Sequence, residues 1–432
     1  MKFPGQRKIK HYFPVSAPKP ELPRFEVDPA LDTYVVGLDQ VIVDVVAKVS
    51  DAFLQRYGVG KGLSNLVAHE QANAIYQELL TCQAISDHFA GGTIGNTIHN
   101  YSVLADDKSV LLGVMSANIT LGSPAYHYLC HTSSKVDLNH LHAVTGDIGR
   151  GITLITPDGE RTFVIDPGDM DQLTASSIPA DLVANASALV LSAYPLRASG
   201  QPIIAAMQHS LELANQQQVP VVMSLGTRHL VEELRNTIQQ TAEQHIQILA
   251  MNEQEAEALT GLADPLLAAE KILDWVDMVL ITAGAEGLYL CGYTDESVQR
   301  ETTHPIKSGA LPDFNRYEFS RPMLRRDCQQ PVKVYSHIDP YLGGPERIAN
   351  TNGAGDGALA AVLHDLAANH HHRQLQPLSS KHELPYLCYS SFAQICKYAN
   401  RVSYEILVQY ASRLSKGLPE REDSLEEAYW ER

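Results

Sequence analysis

The sequence predicts an α/β protein built in three layers, α/β/α, around a mostly parallel central sheet. Three observations carry that prediction. Short β-branched runs alternate with amphipathic helical stretches through the second half of the chain, the pattern of a parallel sheet covered on both faces. The 432 residues, 44% of them apolar, are enough to bury a large core. A glycine-rich turn at 350–368 runs straight into an Ala- and Leu-rich helix, an arrangement suited to holding phosphate.

Taken in order, residues 1–30 are basic and proline-rich with no apolar h-region, so they read as an N-terminal arm and not a signal peptide. The run TYVVGLDQVIVDVVAKV from Thr33 reads as one buried strand interrupted by Asp39 and Asp44. A polar, helix-like stretch follows, then FAGGTIGN (89–96) with no clean strand before it. GITLIT (151–156) and RTFVID (161–166) flank the turn Pro157–Glu160 as a hairpin. Further strands are expected at 188–194, 220–226, 246–252 and 278–284. In parallel sheets ligands bind beyond the carboxyl ends of the strands. Tyr194-Pro195, Gly226-Thr227, Asn252-Glu253 and Thr282-Ala283-Gly284 fall there. The 57 residues 292–348, rich in Pro, Gly and Arg, read as a functional loop or an added subdomain. Residues 421–432 read as a solvated tail with the capping pair Ser424/Glu427. The main domain is placed at 31–420.

Lys and Arg number 33 against 50 Asp and Glu, a formal charge of −17. Such a chain repels phosphate backbones and anionic lipid, so nucleic-acid and membrane-surface roles are excluded; small phosphorylated ligands are not. No stretch has the roughly 18 apolar residues of a membrane span. The six cysteines are scattered without CxxC or framework spacing, as in reduced proteins. The chain reads as soluble and cytoplasmic.

The sharpest motif is NTNGAGDGALAAVLHDLAA. Gly353, Ala354 and Gly355 offer consecutive backbone N–H groups at a helix start, an anion nest. Asp356 beside it is expected ionised, as a general base where a phosphoryl group meets a hydroxyl, or else as a helix cap. In FAGGTIGN, Gly91 and Gly92 allow close backbone approach to a ligand and Asn96 can bond a hydroxyl, or the segment is a turn before a helix. Asn252 and Glu255 fit a capping box, and equally a phosphate contact and water-bound magnesium. Thr282 to Gly287 close a strand, as a nucleotide contact or a plain turn. Asp39 and Asp44 suit a polyol ligand or an exposed strand end. His370, His371 and His372, with His364 and His382, lack HExxH or CxxC partners and read as a polar helix end. Arg316, Arg321, Arg325 and Arg326 are either solvated or touch a nucleotide. P-loop, protein-kinase and G-x-S-x-G motifs are absent, as is the G-x-G-x-x-G of NAD-dependent oxidoreductases.

Together, GGxxxN, N-x-x-E, T-x-G-x-x-G and the late GAGD, in that order over residues 33 to about 410, resemble the ribokinase-like (PfkB) family of carbohydrate and nucleoside kinases. MKFPGQRKIKHYFPV, FAGGTIGNTIHNYSVLADD, AMNEQEAEALTG, YSHIDPYLGGPE and GLPEREDSLEE narrow the likeness to family members acting on the purine nucleosides guanosine and inosine. The resemblance implies a large α/β/α domain with a small β lid, from about 46–70 and 146–170, closing over the sugar. It implies transfer of the ATP γ-phosphoryl to the 5′-hydroxyl of a purine nucleoside, with Asp356 as base and Gly353, Ala354 and Gly355 as the anion hole. Asp44, with Asp39 and Gln40 close by, is implied on the sugar hydroxyls. Gly91, Gly92, Thr93, Gly95 and Asn96 are implied on the ribose, and Arg197 more loosely on a phosphate. Asn252, Thr227, Thr282, Gly284, Gly287 and Asn352 are implied on ATP, with Glu255 on Mg²⁺ through water. A monovalent cation such as K⁺ and a homodimer are within its range. Asn350-Thr351-Asn352 departs from the family's usual Asp-Thr-Thr. Rival readings are a kinase of adenosine, ribose or another furanose, and a nucleoside-binding regulator without activity.

Overall fold

In chain order the strands begin with β1 (Tyr34–Leu38), β2 (Ile42–Lys48), β3 (Ser64–Leu66), β4 (Ile85–Ala90), β5 (Lys108–Leu112), β6 (Val114–Ser116), β7 (Val136–Asp137) and β8 (His142–Val144). They continue with β9 (Gly149–Ile155), β10 (Arg161–Asp166), β11 (Leu189–Ser192), β12 (Val221–Ser224), β13 (Ile248–Asn252), β14 (Met278–Thr282), β15 (Leu288–Asp295) and β16 (Pro331–Ile338). The helices are α1 (Asp51–Arg56), α2 (His69–Thr81), α3 (Thr93–Ala105), α4 (Pro124–Cys130), α5 (Ala180–Ala184) and α6 (Pro202–Gln216). After them come α7 (Arg228–His245), α8 (Glu253–Thr260), α9 (Pro265–Ile272), α10 (Ala354–Leu375) and α11 (Phe392–Leu407). This computed structural model describes residues 26–105, 107–302, 315–341, 348–415 and 417–418.

A nine-stranded sheet in the order β16-β15-β14-β13-β12-β11-β1-β5-β7 forms the middle layer. It is parallel from β14 to β7, and β15 and β16 extend it antiparallel. Strand residues alternate between two cores. Val35, Val190, Val222, Ile248 and Leu280 pack with α3, α10 and α11 on one face. Val36, Leu189, Met223, Leu249 and Ile281 pack with α5 to α9 on the other. Period-two alternation of apolar residues on both faces is what a doubly covered parallel sheet requires.

A second sheet, β3-β10-β9-β2-β4, stands apart from the first. Here the structure corrects the single-strand reading of residues 33–49. The chain leaves the large sheet after Leu38, crosses through Asp39, and enters the small sheet as β2. Asp44 therefore belongs to the small sheet, which starts earlier than 46–70. A strand also precedes the Gly91-Gly92 pair: β4, where the sequence reads as a polar, helix-like stretch with no clean strand, pairs with β2. Half of its ISDHFA sequence is polar, because an edge strand with one wet face needs few apolar residues. The insertion is corrected in part as well. Residues 292–295 and 331–338 are edge strands of the large sheet. Among the described residues between them, Met323 bridges to Tyr293 and Tyr386. Residues 1–25 of the arm, 303–314 and 342–347 of the insertion, and the Ser424/Glu427 pair lie outside the described residues.

Candidate active site

The carboxyl ends of β1, β11, β12, β13 and β14 open toward the start of α10, and residues from opposite ends of the sequence meet there. Gly353, the N-cap of α10, holds φ +82°, a left-handed conformation natural to glycine. A Cβ there would also fall 2.6 Å from the Ser412 Cβ. The helix begins at Ala354, and first-turn N–H groups have no acceptor within their own helix. A Cβ added to Gly355 would have the Thr282 hydroxyl, at 3.9 Å, as its nearest neighbour. The nest is therefore open on that side, with Thr282 at its border.

Asp356 is the third residue of the helix, with Gly353 in the cap position, so the cap reading of Asp356 fails. Its Oδ2 accepts from Asn96 Nδ2 at 3.1 Å, joining the start of α10 to the start of α3. Burial pushes its carboxyl up to about 7, against the pull of the Asn96 hydrogen bond; the charges of Asp39 and Glu255 add to the rise and Arg413 opposes it. The expected ionised carboxylate is thus a group that titrates near neutrality, which suits a general base.

Asp39 is buried and fully engaged. Its Oδ1 accepts from Ser192 Oγ at 2.6 Å and from the Gln40 N–H at 2.9 Å. Its Oδ2 accepts from the Ile94 N–H at 3.0 Å. Asp39 therefore anchors the first turn of α3, where a carboxylate also meets the positive end of the helix dipole. Gln40 donates to Asp171 at 2.5 Å. Thr93 opens α3, its carbonyl accepting from the Thr97 hydroxyl. Asp44 lies half-buried on β2 between two glycines. A Cβ at Gly91 would come 2.4 Å from its Oδ2, and one at Gly151 would come 3.0 Å from its Oδ1. Burial raises Asp44 to about 6, against the pull of Arg413. Gly92 takes φ +83°, and a Cβ at Gly95 would strike the Tyr128 hydroxyl and the Arg413 guanidinium.

On the other side, Asn252 and Glu255 form a complete capping box. Asn252 Oδ1 accepts from the Glu255 N–H at 2.9 Å, and Glu255 Oε2 accepts from the Asn252 N–H at 3.1 Å. Asn252 Nδ2 also donates to Oε1 at 2.7 Å. Glu255 is 3% exposed, and burial lifts its carboxyl to about 7. Thr227 caps α7 through Leu230 and bonds Tyr194, whose phenol is raised by burial and by Glu255, Asp39 and Asp356. Gly284 and Gly287 take φ +49° and +95° in the turn from β14 to β15, and a Cβ at Gly287 would run into the Ile338 carbonyl. Turn geometry alone accounts for both glycines.

Two expected residues stand outside this convergence. Arg197, expected on a phosphate, pairs instead with Glu233 at 3.3 Å on the surface, half solvated. Asn352 is exposed, and its N–H bonds the Asn350 side chain. His370 meets Ser187, His371 meets Thr33 and His372 meets His382, and no metal-holding cluster is present among the described residues. Arg321, one of the undecided arginines, lies 4.0 Å over the Tyr386 ring and donates to Cys388 and Asn369. Sequence reasoning missed Arg413, which is 6% exposed and donates to Asn96 Oδ1 at 2.9 Å and to the Gly91 carbonyl at 3.0 Å. No motif or spacing in QYASRLSKG singles it out.

An open helix start beside a carboxyl that titrates near neutrality is equipped to pass a phosphoryl group to a hydroxyl. Residues 74–308 match the model of the pfkB family of carbohydrate kinases, and the chain belongs to that family. It is accordingly a phosphotransferase with an alcohol acceptor and ATP as donor. Over its whole length it is similar to the guanosine-inosine kinase of Escherichia coli (strain K12), 58% identical over 434 aligned residues covering 100% of both chains. Two solved structures share the fold. A probable sugar kinase from Rhizobium etli CFN 42 has a TM-score of 0.64 at 18% identity, covering 90% of this chain and 96% of that one. Adenosine kinase from Sinorhizobium meliloti has a TM-score of 0.63 at 19% identity, covering 90% and 97%. No helix among the described residues is long and apolar enough to cross a membrane.

Proposed function

We propose that the chain phosphorylates the 5′-hydroxyl of guanosine and inosine with ATP, in the cytoplasm where both are supplied. The full-length similarity to the E. coli guanosine-inosine kinase supports the substrate class. The observation that carries the mechanism is Asp356 in the first turn of α10, with its carboxyl at about 7.

Asp356 takes the proton of the 5′-hydroxyl as that oxygen bonds to the γ-phosphorus and the bond to the ADP oxygen breaks. The N–H groups of Gly353, Ala354 and Gly355 hold the charge on the transferring oxygens. Asp44 accepts from the sugar hydroxyls, and the bare backbone of Gly91 and Gly92 lets the ribose approach. Closure of the small sheet over the sugar excludes water as a competing acceptor.

Four carboxyls, Asp39, Asp44, Glu255 and Asp356, are all raised by burial, around a site proposed to admit polyphosphate. A divalent cation fits that charge balance. Glu255 fits it through water, since both its oxygens already accept from Asn252 and Mg²⁺ keeps most of its waters. When bound, Mg²⁺ neutralises phosphate charge. No observation favours a monovalent cation, and the proposal does without one.

The test is ADP release from Mg·ATP with guanosine, inosine, adenosine and ribose in parallel, with Asp356→Asn as control. Turnover on guanosine and inosine, lost in the variant, is the expected result. Turnover on adenosine or ribose alone overturns the substrate, and nucleoside binding without any turnover overturns the enzyme.

A further inference from the structure

Arg413 is a buried guanidinium whose five hydrogen-bond acceptors are all neutral oxygens. Nε donates to Asn96 Oδ1 at 2.9 Å, and Nη2 donates to the Gly91 carbonyl at 3.0 Å and the Tyr128 hydroxyl at 3.2 Å. Nη1 donates to the Thr132 hydroxyl at 2.8 Å and the His131 carbonyl at 3.4 Å. The guanidinium also lies 4.9 Å over the Tyr128 ring. A buried charge needs compensation. Here that role falls to the carboxyls of Asp44 and Asp356, both of which feel its field.

The geometry points to Arg413 as a positioning residue: it locks the Asn96 amide so that the amide presents a donor to Asp356, while the same guanidinium holds the Gly91 carbonyl on the sugar side. This rests on the reading of Asp356 as the base. The chemistry of the amide makes the argument. Arginine can only donate, so the face of Asn96 turned to it must be the carbonyl oxygen, which leaves Nδ2 for the carboxylate. Rotating the amide by half a turn would set N–H against N–H and oxygen against oxygen, losing both bonds at once. Without Arg413 that orientation has no enforcement from the far side.

Arg413 is itself held from the main chain around it. Asn100 Nδ2 donates to the Ser412 carbonyl at 3.2 Å, and Asn100 Oδ1 accepts from the Leu414 N–H at 2.8 Å. His99 Nε2 donates to the Leu414 carbonyl at 2.9 Å. Ser412 packs against Gly353, the N-cap of α10. The segment 412–414 therefore touches the nest, the glycine pair and α3 at once, and is placed to keep base and sugar site in register.

The test measures kcat, both KM values and the pH profile for Arg413→Gln, Arg413→Lys, Asn96→Ala and the Arg413→Gln/Asn96→Ala double variant. Asp356 is faced by Asp39 after β1, Tyr194 after β11, Glu255 on α8 and Arg413; of these, only Arg413 changes in the first two variants. We expect Arg413→Gln to lose roughly a hundredfold in kcat, the cost of a misplaced reacting group, with the KM for ATP unchanged. Its acid limb moves to higher pH, because a cation that favoured the ionised base is gone. Arg413→Lys keeps the charge without the fork, so it restores the limb more than the rate. The double variant loses no more than the worse single one. An unmoved acid limb, losses that multiply, or a loss carried by KM alone overturns the proposal. Should Arg413→Gln fail to fold, Tyr128→Phe/Thr132→Val removes two anchors and keeps the charge. It should lower kcat, and wild-type kcat there overturns the proposal too. Asp356→Asn in the same assay separates the readings. Full turnover in it sinks the base and this role together, whereas its inactivity beside wild-type profiles for the Arg413 variants sinks this role alone.

Discussion

Gly91, just past β4, faces Asp44 on the paired strand β2: a Cβ on Gly91 would lie 2.4 Å from Asp44 Oδ2 and 2.6 Å from its Cγ. The absence of a side chain at 91 thus leaves room for the carboxyl at 44, the proposed contact to the sugar hydroxyls. Gly91→Ala should turn Asp44 aside and raise the nucleoside KM by roughly tenfold, about one charged hydrogen bond, with the KM for ATP unaltered. Steady-state kinetics in both substrates checks this, and an unchanged nucleoside KM would remove Asp44 from the sugar site.

Asp356→Asn should fold and lose about 10²- to 10⁴-fold in kcat, the usual contribution of a general base. In the wild type, turnover should rise with pH through about 7 as the base ionises. A flat profile from pH 5 to 8 would contradict the assignment.

The same group makes a prediction about stability. Its carboxyl holds a proton more tightly in the folded chain, where it titrates at about 7, than in the unfolded chain, where it titrates near 3.8. The stability it lends is present at low pH and lost as pH rises through that window. Asp356→Asn, which never ionises, should therefore melt a few degrees higher than wild type at pH 8, with the difference fading toward pH 4. Thermal melts across that range measure it, and a variant less stable at pH 8 would refute it.

Glu255→Gln keeps a residue able to complete the capping box, so α8 and the fold should survive. The Mg²⁺ concentration for half-maximal rate should rise roughly tenfold, as for loss of an outer-shell partner. An unchanged Mg²⁺ titration would leave Glu255 with its capping role alone.

Arg197→Ala should leave kcat and both KM values within about twofold of wild type, since an exposed pair with Glu233 contributes little. A large rise in either KM would reinstate Arg197 as a ligand contact.

The sequence by itself determined the alternating strands and helices from β11 to β14, the hairpin of β9 and β10, and the glycine-rich helix start with Asp356 in its first turn. Those features are local: hydrophobic period, turn residues and a glycine-rich helix start are written in neighbouring positions. Asn252 and Glu255 were legible as a capping box for the same reason. The tertiary structure alone decided that the run from Thr33 divides at Asp39, because both halves are equally β-branched and only their partners, β5 and β11 against β4 and β9, differ. It also decided that Arg197 faces solvent while Arg413, 317 positions beyond Asn96 in the chain, enters the site. Charge and burial at such a position depend on which distant segments meet there. The rise of Asp356 to about 7 has the same origin, for it comes from burial and from the carboxyls of Asp39, just after β1, and Glu255 on α8. No stretch of sequence around position 356 contains them.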